Sequence, residues 1–295
     1  MNQKQLDRMQ KEPGFIAALD QSGGSTPKAL KAYGIPKTRY RNDDQMFDLV
    51  HEMRTRIMTS PSFTSDKILA AILFENTMDR KVEDQYTADY LWNVKGIIPI
   101  LKVDKGLAEE KDGVQMMKPM PQLDDLLKRA AKRHIFGTKM RSVIHSANKA
   151  GIKAIVDQQF DIAKRIIAAG FVPIIEPEVD IHAEDKAEAE QLLHAEFKSH
   201  LAALEDGDKV MFKVTIPTEA GLYSDIMKDK HVVRVVALSG GYTRKDACAK
   251  LAQNPGLIAS FSRALTEGLT CRMNDKDFNY MLADSIDKIY QASIK

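Results

Sequence analysis

Eight short runs rich in β-branched and aliphatic residues, separated by stretches with helical periodicity within 295 residues, predict a single (β/α)8 barrel, the TIM-barrel class of α/β fold. The alternation asks for a parallel sheet, and eight units in about this length close one. A third observation removes the principal rival. An open doubly wound sheet wants a glycine-rich fingerprint after its first strand, and the chain has neither GxGxxG nor GxxxxGK[ST]. Gly23-Gly24 is too little to count as either. No internal repeat or low-complexity tract marks a second unit, so residues 1–295 are read as one barrel domain.

Taken in order, an amphipathic helix is expected over 2–10, ahead of the first strand at 14–20. The remaining strands are expected at 68–75, 96–104, 135–141, 172–178, 210–216, 232–239 and 257–262. Apolar residues at helical spacing place helices at 45–58, 123–133, 156–169, 184–204 and 243–252, the last capped by Thr243. A terminal helix runs from Asp275 to about residue 293, with Asn274 as its cap. The Met- and charge-rich stretch 106–120 reads as a long loop after the third strand.

Lys and Arg number 43 against 41 Asp and Glu, a net charge of +2 with no block of one sign, which argues against nucleic acid or an anionic membrane as partner. The first ten residues lack the apolar stretch of a signal peptide and no apolar run approaches membrane-spanning length, so a soluble cytoplasmic protein is expected. Cys248 and Cys271 have no CxxC spacing and are expected to be buried, inert thiols in helical segments. No helix face declares an interface, and the oligomeric state stays unassigned.

Side chains alternate along a strand, so residues two apart share a face, and a barrel interior should receive mostly branched apolar groups. Here charged residues break that rule at the C-terminal ends of the strands, where this fold assembles its sites. Asp20 closes the first strand; Lys102 and Asp104 share a face on the third, Lys139 and Arg141 on the fourth, Glu176 and Glu178 on the fifth. Lys213 stands mid-strand on the sixth, in Val210-Met-Phe-Lys213-Val-Thr-Ile216. A cation facing a protein interior is costly, and burial biases an amine toward its neutral form, the form that attacks carbonyls. The competing interpretation is a structural salt-bridge network. The alternation Glu176-x-Glu178-x-Asp180-x-His182 could also be a hard-metal site, but only part of it can be strand, and the other histidines show neither HxH nor HExxH spacing, so no metal is expected.

After the seventh strand comes Ser239-Gly240-Gly241, and after the eighth Ser260-Phe261-Ser262-Arg263, each running into a helix. Small residues bare backbone N–H groups there, and Arg263 adds a charged donor, which together suit a phosphate. A second anion site is conceivable across the mouth, from Ser22, Ser25 and Lys102, so that a doubly phosphorylated substrate would span it.

These motifs resemble the class I, Schiff-base fructose-1,6-bisphosphate aldolases, and are most similar to the shorter bacterial members, such as those of staphylococci. The resemblance runs over nearly the whole chain, through Ala17-Ala-Leu-Asp-Gln-Ser-Gly-Gly-Ser25, Ile72-Leu-Phe-Glu-Asn-Thr77, Leu101-Lys-Val-Asp-Lys-Gly106, Lys139-Met-Arg141, Val172-Pro-Ile-Ile-Glu-Pro-Glu178, Phe212-Lys213, Leu238-Ser-Gly-Gly241 and Ser262-Arg-Ala-Leu265. It implies a glycolytic and gluconeogenic lyase that needs no cofactor and acts on phosphorylated sugars. By the same resemblance, Lys213 would form the Schiff base, Glu176 would supply and remove protons, and Asp20 would take the C4 hydroxyl proton. Lys139 beside Lys213 would favour a neutral nucleophile by like-charge repulsion, with Glu178 holding the charge network. Ser239, Gly240 and Arg263 would bind the C1 phosphate; Ser22, Ser25 and Lys102 the C6 phosphate, with Arg141 nearby.

The chain departs from the familiar pattern at Gln21, which replaces an acid, at Met140, which replaces a Trp, and at Ser262, which replaces a Gly. It also ends at Ile294-Lys295 without the terminal Tyr of the longer animal relatives, so the group that protonates the enamine is not assigned. A relaxed aldolase that also takes tagatose bisphosphate or ketose 1-phosphates, a metal-dependent aldolase and a non-catalytic barrel are the alternatives.

Overall fold

The computed structural model describes residues 2–295, and its centre is a closed parallel barrel. The strands are β1 (Phe15–Leu19), β2 (Ile68–Leu73), β3 (Ile98–Lys102), β4 (Gly137–Ile144), β5 (Val172–Val179), β6 (Val210–Thr215), β7 (Val232–Leu238) and β8 (Ile258–Phe261). Consecutive strands pair in parallel, β8 pairs with β1, and β3 closes the ring on β4 through Ile100 opposite Gly137 and Lys102 opposite Lys139.

Both faces of these strands are apolar because both are covered, as a parallel sheet requires. On β1, Phe15, Ala17 and Leu19 face the surrounding helices, while Ile16 and Ala18 face the barrel axis. The inward set continues with Ala70 and Ile72, Ile98 and Ile100, Ile174, Met211, Val236 and Ile258, which fill the lower barrel. The helix Gln3–Lys11 closes this floor with Leu6 and Met9, and Trp92 packs against the same cluster from the side. Arg234 on β7 donates to the carbonyls of Met9 and Glu12, satisfying acceptors that the helix end would leave orphaned.

The expected helices appear, with lengths set by caps. Asn42 accepts from the Gln45 backbone N–H and opens Asp43–Thr59; Asn148 accepts from Gly151 and opens Lys149–Ala168, two turns earlier than the apolar periodicity indicates. Thr243 and Asn274 cap Arg244–Leu251 and Asp275–Ser293. No described helix is long and apolar enough to cross a membrane.

Two expectations are corrected. The stretch 106–120 is no loop: Leu107–Lys111 and Val114–Met117 form an antiparallel hairpin that continues the sheet, with Val114 opposite Ile144 and Gln115 opposite Val143. Asp112 and Gly113 turn it with φ of 53° and 70°, the two positive values of a tight hairpin turn, and the added partner lengthens β4 past Arg141. The cysteines also differ from expectation. Cys248 is half-buried in its helix, and Cys271 is exposed in a turn beside Tyr33.

Candidate active site

Alternation carries the inward register of each strand upward into charge. Above Ile16 and Ala18 comes Asp20; above Ile98 and Ile100, Lys102; above Ile174, Glu176 and then Glu178; above Met211, Lys213. The apolar floor thus gives way to a charged layer at the C-terminal rim, and a cavity of about 1060 Å³ opens over it. All twelve residues singled out from the sequence line this cavity, so side chains far apart in the chain share one mouth.

Lys213, Lys139, Glu176 and Asp20 are each no more than 8% exposed. Lys213 Nζ lies 3.1 Å from Glu176 Oε1. Lys139 Nζ lies 2.6 Å from Asp20 Oδ2 and 3.0 Å from Glu176 Oε2, so one ammonium bridges two carboxylates. The second of these contacts is one of charge only: Glu176 Oε2 makes no directed hydrogen bond and keeps a lone pair for another donor. Burial disfavours charge on both Asp20 and Lys139, but their mutual attraction outweighs it. Lys139, with help from Lys213 and Lys102, holds the Asp20 carboxyl well below the usual range; Asp20, Glu176 and Asp104 hold Lys139 above its ordinary value.

The rim is organised by a second set of pairs. Asp104, which the sequence placed on the Lys102 face without a role, is buried and accepts from Lys102 Nζ at 2.6 Å and from the Gly106 and Arg141 backbone N–H groups. Arg141 pairs through Nε with Glu178. No group of three or more His, Cys, Asp or Glu among the described residues is placed to hold a metal ion.

The two anion loops flank this layer. Ser239 is buried and Gly240 turns the chain at φ 59°, where a Cβ would stand 2.6 Å from Ile181 Cγ2, so glycine is required there on both counts. The Arg263 guanidinium, exposed and without a carboxylate partner among the described residues, lies over Gly241. Across the mouth, the Ser25 hydroxyl donates to the Ser22 carbonyl and accepts from its N–H, closing a turn at the start of the helix Ser25–Ala32.

A family model described as fructose-bisphosphate aldolase class-I matches residues 5–216. The chain belongs to the class I fructose-bisphosphate aldolases. It is 64% identical over 293 residues to a fructose-bisphosphate aldolase class 1 of Synechocystis sp., covering 99% of this chain and 98% of that protein. A second relative, from Clostridium acetobutylicum, carries the same description and is 59% identical over 294 residues, with both chains fully covered. Among solved structures, a Plasmodium falciparum fructose-bisphosphate aldolase shares the fold at a TM-score of 0.77 and 21% identity, covering 99% of this chain and 94% of that one. A Corynebacterium glutamicum structure is more distant, with a TM-score of 0.57 and 14% identity over 99% and 92% of the two chains.

Two of the departures from the familiar aldolase pattern touch. Gln21 Nε2 donates to Ser262 Oγ at 2.6 Å, so the carboxamide after the β1 aspartate meets the hydroxyl before Arg263. Behind Gln21 lies Arg54, fully buried in the helix Asp43–Thr59, donating to the Gln21 carbonyl at 2.6 Å, to Gln21 Oε1 at 3.1 Å and to Thr77 Oγ1 at 2.6 Å. Burial pushes the Arg54 pKa down to about 10, which leaves it cationic at neutral pH. Sequence reasoning passed over Arg54, although a signal existed. It sits on the apolar stripe Met46, Val50, Met53 and Ile57, where a cation has no reason to stand unless something buried needs it.

Proposed function

We propose that the chain, as a class I fructose-bisphosphate aldolase, cleaves fructose 1,6-bisphosphate reversibly to dihydroxyacetone phosphate and glyceraldehyde 3-phosphate. We propose that Lys213 is the Schiff-base lysine and that Glu176, Asp20 and Lys139 divide the proton chemistry. The observation that carries this reading is a buried amine 3.1 Å from a buried carboxylate, inside the one charged layer of the barrel.

Lys213 Nζ attacks the C2 carbonyl, and the proton it sheds has an acceptor in Glu176. The same carboxyl returns a proton to the carbinolamine hydroxyl, which leaves as water and gives the iminium. Lys139, 3.0 Å from the second oxygen of this carboxyl, offsets its charge while Oε1 faces Lys213. The iminium then accepts the electron pair of the C3–C4 bond while Asp20 removes the C4 hydroxyl proton. Lys139 makes Asp20 a weak base, which suffices here, since the hydroxyl grows strongly acidic as C4 becomes an aldehyde. Protonation of the enamine at C3 and hydrolysis release dihydroxyacetone phosphate.

Ser239, Gly240 and Arg263 hold the C1 phosphate in this proposal. Ser22, Ser25 and Lys102 take the C6 phosphate, with Arg141 and Glu178 fixing the wall between. The unpaired Arg263 guanidinium supports the first assignment. Lys102, already held by Asp104, supports the second less directly, as a preoriented cation. A glycolytic role supports a cytoplasmic location.

Borohydride reduction in the presence of dihydroxyacetone phosphate should attach the substrate to Lys213, read by peptide mass spectrometry. An adduct on another lysine, or none, removes the assignment. Lys213→Met should lower kcat by at least about 10³-fold with the fold retained.

A further inference from the structure

The chain of contacts from Arg54 to Ser262 has a direction. A guanidinium carries donors only, so the Gln21 atom facing Arg54 is the carbonyl Oε1, and Nε2 must be the end that meets Ser262. Gln21 Nε2 then occupies a lone pair of Ser262 Oγ, and the hydroxyl proton of Ser262 is left with no acceptor among the described residues. Both Gln21 and Ser262 line the cavity, and Ser262 directly precedes Arg263.

We propose that Ser262 is a phosphate-binding residue, its O–H aimed at the C1 phosphate, and that Gln21 and Arg54 are positioning residues that orient and polarise it. Each link passes positive character toward the ligand: Arg54 N–H to Gln21 Oε1, Gln21 N–H to Ser262 Oγ, Ser262 O–H to a phosphate oxygen. Hydrogen bonds in series polarise one another where the surroundings are dry, and Arg54 is fully buried. A cation that itself never reaches the substrate thereby strengthens its binding. The same links fasten the end of β1, one residue past Asp20, to the loop after β8, so anion binding and the proton acceptor share one strut. This inference rests on the assignment of the C1 phosphate to the loops after β7 and β8.

Fructose 1-phosphate, which carries only that phosphate, is the probe, with KM and kcat measured separately. Ser262→Ala is expected to raise KM by about tenfold, the loss of one hydrogen bond to a charged acceptor, and to move kcat less. Ser262→Thr, which keeps the hydroxyl, should recover most of that loss. Gln21→Glu gives the Ser262 proton a carboxylate acceptor of its own and turns it from the phosphate, so KM should rise comparably. Combined with Ser262→Ala, it should add little. Arg263→Ala serves as the control for the underlying assignment. If Arg263→Ala raises KM and Ser262→Ala does not, the relay is overturned and the anion site stands. If neither moves KM, both fall. Additive effects of Gln21→Glu and Ser262→Ala would overturn the link between them.

Discussion

Four ionisable side chains are buried within reach of one another at the C-terminal rim, two lysines and two carboxylates. Removing one partner of such a group is expensive because the other stays buried. Asp20→Asn should therefore cost about 3–5 kcal/mol at pH 7 by urea denaturation, with Lys139 left on Glu176 alone. The pH dependence has a definite sign. The folded-state pKa of Asp20 lies below its unfolded value, so its contribution is present above about pH 4 and is lost as the pH falls from there. The stability difference between Asp20→Asn and the parent should shrink as acid is added, and a constant difference down to pH 3 would contradict the pairing. These positions were readable in the sequence because parity along a strand is strict. Asp20, Lys102, Glu176 and Lys213 each continue an inward apolar register, which is why four separate motifs converge. Arg54 and the Gln21–Ser262 bond escaped notice for the opposite reason, since no periodicity relates residues on a helix and two strand ends.

Strand positions were legible to within a few residues from β-branched runs bounded by turns, and helix starts less so, because a cap is a single polar residue. The hairpin of Leu107–Lys111 with Val114–Met117 was missed although Asp112-Gly113 is a strong turn signal, since its outer strand Leu107-Ala-Glu-Glu-Lys is too polar to look like a strand. Pairing with Val114–Met117, which in turn pairs with β4, and not burial, holds that outer strand. The loop after β7 is tighter. At Gly240 an alanine would need left-handed backbone and would press its Cβ onto Ile181. Gly240→Ala should cost about 1–3 kcal/mol through strain and raise KM for fructose 1,6-bisphosphate. Steady-state kinetics beside a denaturation curve would expose a failure of either part.

Across the whole molecule, the barrel separates stability from chemistry along its axis. The floor is apolar and closed by Gln3–Lys11, and the rim is charged and open. Deleting residues 1–11 uncovers the partners of Leu6 and Met9 and strips Arg234 of the Met9 carbonyl, to which it donates twice. The melting temperature should drop by on the order of 10 °C, while turnover by the molecules that remain folded at low temperature is unaffected. A scanning calorimeter and an assay at 15–20 °C, roughly where such proteins are most stable, would test both halves. Amphipathicity announced this helix in the sequence, but not that it would stopper the barrel, because the floor it covers is assembled from eight other segments.

Trp92 gives that axial division an optical readout. It is the sole indole in the chain and leans on the floor cluster, away from the cavity lining. Its emission is thus a built-in fluorophore for the lower half alone. Titrating substrate into the mouth should leave the spectrum still, whereas loosening of the stopper should shift it red before the rest of the molecule melts.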